Sequence, residues 1–297
     1  MNSQLIYDVG GHMGEDTDFY LRKGFKVVAV EANPVLAEKL KERFQSNLFD
    51  GSLVLIDAAI AENTGEVDFY VNQSFSIWGT IRPEWSERNA LFGNNSSELI
   101  KVKATSFSDL LGKHGVPYYL KIDIEGADLL CLESFLDKSD KPRFVSIESE
   151  KRSWSALLDE FEMFKKLGYS RFKIVDQKNI DRQKPPDPAV EGRYVEYNFE
   201  PGSSGLFGEE LPGKWLTRNQ AIRRYRLIFL RYRIFGDAGI LRVLLKIPGF
   251  RKALPQTTEA HVGKSSDSST GKKGVRATIR RIREKLRAPW YDTHATI

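Results

Sequence analysis

Three apolar runs in this 297-residue chain stop abruptly at an acid or a glycine. The first leads into Asp8-Val9-Gly10-Gly11-His12-Met13-Gly14-Glu15-Asp16-Thr17. The second is Val27-Val28-Ala29-Val30-Glu31, and the third is Leu120-Lys121-Ile122-Asp123-Ile124-Glu125-Gly126. A buried parallel strand has this form where its carboxyl end opens into a ligand crevice. Asp8, Gly10 and Glu31 are therefore candidates for contact with a nucleotide-like cofactor. Asp57 and Ala58 join them at the end of a further apolar run, Leu53-Val54-Leu55-Ile56. Asp123 and Glu125 are candidates for the chemical step.

The glycine spacing bears on which cofactor fits. A dinucleotide turn needs G-x-G-x-x-G, whose second glycine lets backbone approach a pyrophosphate. Counted from Gly10, His12 occupies that second position; counted from Gly11, Met13 does. S-adenosylmethionine has no pyrophosphate, and an acid before a glycine turn suits it. Asp8 suits groups near its amino end, and Gly10 a close approach of the methionine moiety. Glu31, 17 residues past Gly14, suits both ribose hydroxyls, each charge-assisted bond contributing about 1.5–3 kcal/mol. Asp57 would flank the adenine, with Ala58 and Ala59 leaving room for the ring. Taken singly, Asp8 and Glu31 can instead cap helices; their joint spacing favours the ligand.

At strand spacing Lys121, Asp123 and Glu125 project to one side. Asp123 can serve as a base, a cofactor anchor or, with Glu125, a Mg²⁺ ligand. The alternative is an ion pair between Lys121 and Asp123, with Glu125 a first-turn helix acid. Glu148 is a weaker candidate at the same rim. Two carboxylates with no His or Asp partner visible in sequence are a thin basis for a metal, and none is assigned. His12 can orient substrate or titrate, but a hydrogen bond that holds its own loop is the favoured reading.

The elements that must position these residues alternate from residue 5 to about 177, as parallel βαβ units require. Strands are expected near 5–9, 26–31, 53–57, 118–124, 143–149 and 172–176. Leu36, Leu40 and Phe44 recur at helical spacing, as do Trp154, Leu157, Leu158, Phe161 and Phe164. Gly65–Val71 and Leu99–Ala104 alternate polar and apolar residues and read as an antiparallel pair. The aromatic-rich loop between them, Gln73 to Ser97, reads as a lid or substrate wall. Residues 178–193 read as an exposed connection, and Val195–Phe199 as an antiparallel edge strand. Beyond Gly202 an ordered loop gives way to helix, with Ile222, Tyr225 and Phe229 on one face and Ile240, Leu241, Leu244 and Leu245 on another. Residues 255–274 read as a flexible linker, and Val275, Ile279, Ile282 and Leu286 as the stripe of a last basic helix. His294 falls in a packed terminal anchor.

The composition, 41% hydrophobic and 29% charged, allows a sizeable core and excludes a wholly disordered chain. Cys131 is the single cysteine, so no intrachain disulfide forms, which fits a reducing compartment. A first strand starting at Leu5 is expected to leave no room for a targeting peptide. No run reaches the about 18 apolar residues of a membrane span. The net charge of +5 hides an asymmetry, because residues 201–297 carry 20 Lys+Arg against 7 Asp+Glu. The remaining residues carry 25 against 33. A basic tail on an acidic body implies an anionic partner, or docking of the tail on the body.

Four pieces together resemble the FkbM-like methyltransferase family in order and spacing. They are Asp8-Val9-Gly10-x-x-x-Gly14-x-Asp16-Thr17, Val30-Glu31-Ala32-Asn33-Pro34, Ala61-Glu62-Asn63-Thr64-Gly65-Glu66-Val67-x-Phe69-Tyr70, and Leu120-Lys121-Ile122-Asp123-Ile124-Glu125-Gly126. The resemblance covers about residues 5–177 and adds Gly14 and Asn33 to the cofactor-binding set. His12 stands where such proteins commonly carry Asn, and Asp128 where Glu is frequent. The resemblance implies an α/β, Rossmann-like class I fold, a mostly parallel seven-stranded sheet with an antiparallel last strand, here followed by a mostly helical basic extension. It implies an S-adenosylmethionine-dependent enzyme, most often methylating a hydroxyl of a sugar, glycan or natural product.

The expected organisation is a methyltransferase domain at 1–200, an ordered loop and helical extension at 201–254, the linker at 255–274 and a basic helix with its anchor at 275–297. A cytoplasmic location is expected, with peripheral contact between the basic tail and the inner face of a membrane, which would suit a glycolipid acceptor. A nucleic-acid methyltransferase or binder using the tail is the disfavoured alternative. No Asn-Pro-Pro-Tyr-type motif follows the fourth strand, and the tail aromatics are not interleaved as a stacking platform.

Overall fold

The computed structural model describes residues 1–72, 79–83, 97–124, 126–149, 153–200, 202–235 and 290–297. In chain order its strands are β1 (Asn2–Val9), β2 (Lys26–Glu31), β3 (Leu53–Asp57), β4 (Ala59–Ile60), β5 (Gly65–Asn72) and β6 (Ser97–Thr105). They continue with β7 (Pro117–Ile122), β8 (Phe144–Glu148), β9 (Arg171–Asp176), β10 (Leu216–Thr217) and β11 (Tyr291–Thr296). The α-helices are α1 (Glu15–Arg22), α2 (Pro34–Arg43), α3 (Gln45–Asp50), α4 (Phe107–His114), α5 (Asp128–Glu133), α6 (Trp154–Lys166) and α7 (Arg218–Phe235). Two compact units emerge, one of Met1–Ser149, Ser155–Ala221 and Trp290–Ile297, the other of Glu150–Trp154 and Ile222–Pro289.

The first unit is built on one sheet of order β10-β9-β11-β8-β7-β1-β2-β3. β1 runs parallel to both β2 and β7, so the strand order reverses at β1 and a crevice opens where the connections diverge. Register aligns the carboxyl ends, with Val9 opposite Val30 and Ile122, and Glu31 opposite Asp57. Ile6, Tyr7, Tyr119 and Leu120 are fully buried, as residues of a sheet covered on both faces must be. β5 and β6 pair antiparallel as the alternation predicts, and β4 joins them in a second, three-stranded sheet.

The helices follow from local chemistry. Asn33 caps α2 by accepting from Val35 N, Pro34 opens the helix without needing a donor, and Leu36, Ala37 and Leu40 bury its inner face. In α6 Leu157, Phe161 and Phe164 do the same. In α7 the buried side carries Ala221, Tyr225 and Ile228.

The sheet has eight strands: β9-β11-β8-β7-β1-β2-β3 form its mostly parallel body, with β11 antiparallel to both of its neighbours, and the two-residue β10 adds antiparallel to β9 at the edge. The antiparallel strand is not Val195–Phe199, which is irregular. Tyr197 and Phe199, two residues apart, turn their rings toward Phe19, at 5.0 and 4.8 Å, so that stretch packs on α1 and joins no ladder. The strand is supplied instead by the last residues of the chain. Every residue of β11 is buried, and three of its polar side chains are bonded across the sheet: Thr293 bonds Ser149, Thr296 donates to Arg143 O, and Gln177 donates to Asp292, while His294 Nε2 has no hydrogen-bond partner among the described residues. His294 is buried here as well, and burial pushes its imidazole down to about 3, so it sits neutral in the sheet.

The division of the chain therefore differs from the expected boundary at residue 200. The first unit continues through Ala221 and takes back residues 290–297. Between β9 and β10 the chain crosses one face of the sheet. Phe199, Leu206, Phe207 and Leu211 are buried there in the same cluster as Phe19, Tyr20 and Tyr119, and Phe207 stacks on Tyr119 at 4.6 Å. Lys23 and Glu210 pin this segment with an ion pair at 2.9 Å whose two side chains are wholly buried. The linker at 255–274, the 275–287 helix, the 240–245 stripe and most of the 73–97 loop lie outside the described residues.

Removing residues 291–297 should expose the facing edges of β8 and β9 at the middle of the sheet. The expected outcome is loss of the cooperative thermal transition in circular dichroism. A truncated chain that keeps the full-length Tm would contradict this placement.

Candidate active site

The turn from β1 to α1 forms the floor of the crevice. Gly10 N and Gly11 N both donate to Val30 O at 2.9 Å, lacing the turn across the end of β2. Gly10 adopts φ +88°, and a Cβ there would lie 2.0 Å from Asp123 O. A side chain there is thus excluded by the backbone just after β7. Gly14 adopts φ +83°, and a Cβ there would press on Phe44 and Leu40. That glycine serves the packing of α2 against the start of α1.

The crevice occupies about 840 Å³ counting the solvent at its mouth. Its walls are Gly10–His12, Glu15 and Asp16 on one side, Val30–Ala32 and Leu36 on a second, Ala58–Ile60, Phe69, Gly79 and Ile81 on a third, and Lys121, Asp123, Ile124, Ala127 and Gly202 on the last. Of the residues expected to bind cofactor, Gly10, Glu31 and Ala58 line it, while Asp8, Gly14, Asn33 and Asp57 do not. Asp57 pairs with Lys41 at 3.1 Å, and Asn33 is occupied as the α2 cap. Asp123 lines the crevice with its side chain exposed. Glu125 lies outside the described residues.

Glu31 is 7% exposed and held from two sides. Its Oε2 accepts from His12 N and its Oε1 from Asn33 N, both at 2.8 Å. Each oxygen keeps a lone pair for a further donor. Burial raises its pKa, and the two backbone donors work against that rise. His12 takes φ +47° and its Nδ1 lies 3.3 Å from Glu15 Oε1, so the ring is engaged within its own loop. Burial raises the pKa of Glu15, but hydrogen bonds from His12 and its own backbone outweigh that and hold it low.

Beneath the floor lies a buried charge cluster that local spacing does not reveal. Lys121 Nζ sits 3.0 Å from Asp8 Oδ1 and 3.8 Å from Asp16 Oδ2, and donates to Gly10 O at 2.8 Å. Lys121 thus pairs with the two acids on β1 and α1, Asp8 and Asp16, where the sequence offered Asp123 as its partner. Asp8 is wholly buried and also accepts from Thr17 Oγ1 at 2.6 Å. Its role is to hold Lys121 and α1 in place. Burial works against the Lys121 ammonium, but Asp8, Asp123 and Asp16 outweigh it and hold its pKa above the usual value.

Asp16 extends this cluster to a distant part of the chain. Both of its oxygens accept from Ser204 N, at 2.8 and 3.0 Å. This bond seats the stretch around Gly202 against the crevice. In the sequence Asp16 appears only as part of the glycine-turn motif; its link to Ser204, 188 residues away, has no local signature. The same is true of Asp292, which register places opposite Glu148 at the rim.

One ammonium faces two buried carboxylates in this cluster, so a proton is held there. Burial, with repulsion from Asp8, raises Asp16 from its ordinary 3.8 to about 7. The folded protein binds this proton more tightly than the unfolded chain, so folding takes up a proton between about pH 4 and 7, and stability falls as pH rises through that window. Asp16→Asn should remove this dependence, which amounts to at most about 1.4 kcal/mol per pH unit. Denaturant midpoints measured against pH should show wild type losing ground to the variant as pH rises; parallel profiles would contradict the assignment.

The methyltransferase FkbM domain family matches residues 8–171, more than half of the chain. Among solved structures, a methyltransferase FkbM from Methylobacillus flagellatus KT is 16% identical, with a TM-score of 0.39 over 58% of this chain. This chain spans 40% of the length of that protein. A precorrin-6y C5,15-methyltransferase from Geobacter metallireducens GS-15 is 10% identical, with a TM-score of 0.34 over 58% of this chain and 66% of its own. No curated protein matches at a significant level. By the family match over more than half of its length, the chain belongs to the methyltransferase FkbM domain family.

Proposed function

We propose that the crevice binds S-adenosylmethionine and that the enzyme methylates a hydroxyl of a sugar, glycan or natural-product acceptor. The observation that carries this reading is the charge of the lining: among the described residues its acids are Glu15, Glu31, Asp123 and the proton-holding Asp16, and Lys121 is its one lysine or arginine. Such a wall repels a pyrophosphate and favours a ligand with cationic groups. The cofactor supplies a methyl group on a positively charged sulfur.

Glu31, already fixed by two backbone donors, can accept two ribose hydroxyls without reorganising. Ala58 and Ala59 leave room for a flat ring, with Leu36, Ile60 and Ile81 as apolar walls. Asp8 acts from below, through Lys121. Asp123 is the group placed to take a proton from an acceptor hydroxyl: it is exposed to the crevice, and among the described residues no hydrogen bond engages its carboxylate. Phe69, packed flush on Gly79, gives the acceptor side an apolar wall that excludes water.

Labelled S-adenosylmethionine offered with a panel of sugar, glycan and polyketide-like acceptors tests the proposal. One acceptor class should gain label on oxygen, and Asp123→Asn should lower kcat by about 10²–10⁴-fold. Transfer to nitrogen or carbon would overturn the hydroxyl assignment. An Asp123→Asn enzyme with the wild-type rate would remove Asp123 from the chemistry.

A further inference from the structure

We propose that the outer face of α7 docks on an anionic phospholipid surface. This helix lies almost wholly in the second unit, and its buried side is the Ala221, Tyr225, Ile228 face. The opposite side is centred on Leu227, which is 65% exposed. Arg223 stands one turn before it and Arg231 one turn after, while Leu230, 54% exposed, and Arg224 flank the same strip. No acid occurs anywhere in α7.

Among the described residues no acid pairs with the cations of this strip, Arg223, Arg224 and Arg231, or with Arg233. By contrast, Arg218 pairs with Glu162 at 2.8 Å and Arg226 lies over the Trp154 ring. A face of one sign attracts a surface of the other, and its two leucines indicate which surface. Guanidinium groups bind lipid phosphates and carboxylates while a leucine between them enters the acyl boundary. Against a nucleic-acid backbone the same arginines would bind, but the leucines would rest on phosphates and gain nothing. The helix is not long and apolar enough to cross a membrane, so it would lie in the plane of the interface.

The full-length protein should sediment with phosphatidylserine-containing vesicles and remain in the supernatant with phosphatidylcholine alone. Replacing Arg223, Arg224 and Arg231 together with Gln should lower partitioning by on the order of 100-fold, at about five-fold per arginine. Leu227→Ser with Leu230→Ser, which keeps every charge, should lower it at least about ten-fold. All of these side chains are exposed, so the variants should keep the wild-type Tm, which serves as the folding control. Absence of wild-type sedimentation at low salt would overturn the proposal. So would a leucine variant that binds vesicles as wild type does, and retention of that variant on duplex DNA would then assign the face to nucleic acid.

Discussion

The ammonium of Lys121 ties together the parts from which the crevice is made. It reaches β1 through Asp8, α1 through Asp16 and the glycine turn through the Gly10 carbonyl. A buried charge is tolerated only when it is paired and hydrogen-bonded, and removing one partner leaves the others uncompensated. The constraint therefore runs in both directions: the fold must keep Asp8 and Asp16 beside Lys121, and their presence fixes where β1, α1 and β7 meet. Asp16 carries the constraint onward to Ser204, so a stretch far along the chain is seated by the same cation.

The parts that were legible in the sequence are those written locally. Strands β1, β2 and β7 announce themselves as apolar runs because both of their faces are buried, and α2 is marked by Asn33, Pro34 and its 3.6-residue stripe. Glu31 was readable because its position at a strand end follows from that pattern. What was not legible depends on contacts between distant segments. Gly10 and Gly14 look like a ligand turn, but their missing side chains answer to Asp123 O and to the Phe44 ring. β11 was hidden because Asp292, Thr293, His294 and Thr296 make a polar strand. Hydrogen bonds to Gln177, Ser149 and Arg143, not hydrophobicity, let it occupy the middle of a sheet.

The family match ends at residue 171, yet the folded unit does not. Gly202 contributes to the crevice wall, and β11 closes the sheet between β8 and β9. Glu31 and the glycine turn, within the matched part, are held by β1, β2 and β7. Gly202, beyond the matched part, lines the same crevice as Asp123.

The account stands on the crevice being built for S-adenosylmethionine, with Glu31 as its anchor. Calorimetric titration of S-adenosylhomocysteine into wild type and Glu31→Ala tests this most directly. The account predicts one site per chain in wild type, and an affinity at least about ten-fold weaker in the variant, from the loss of charge-assisted bonds contributing about 1.5–3 kcal/mol each. No binding to wild type, or equal binding by the two proteins, would contradict it.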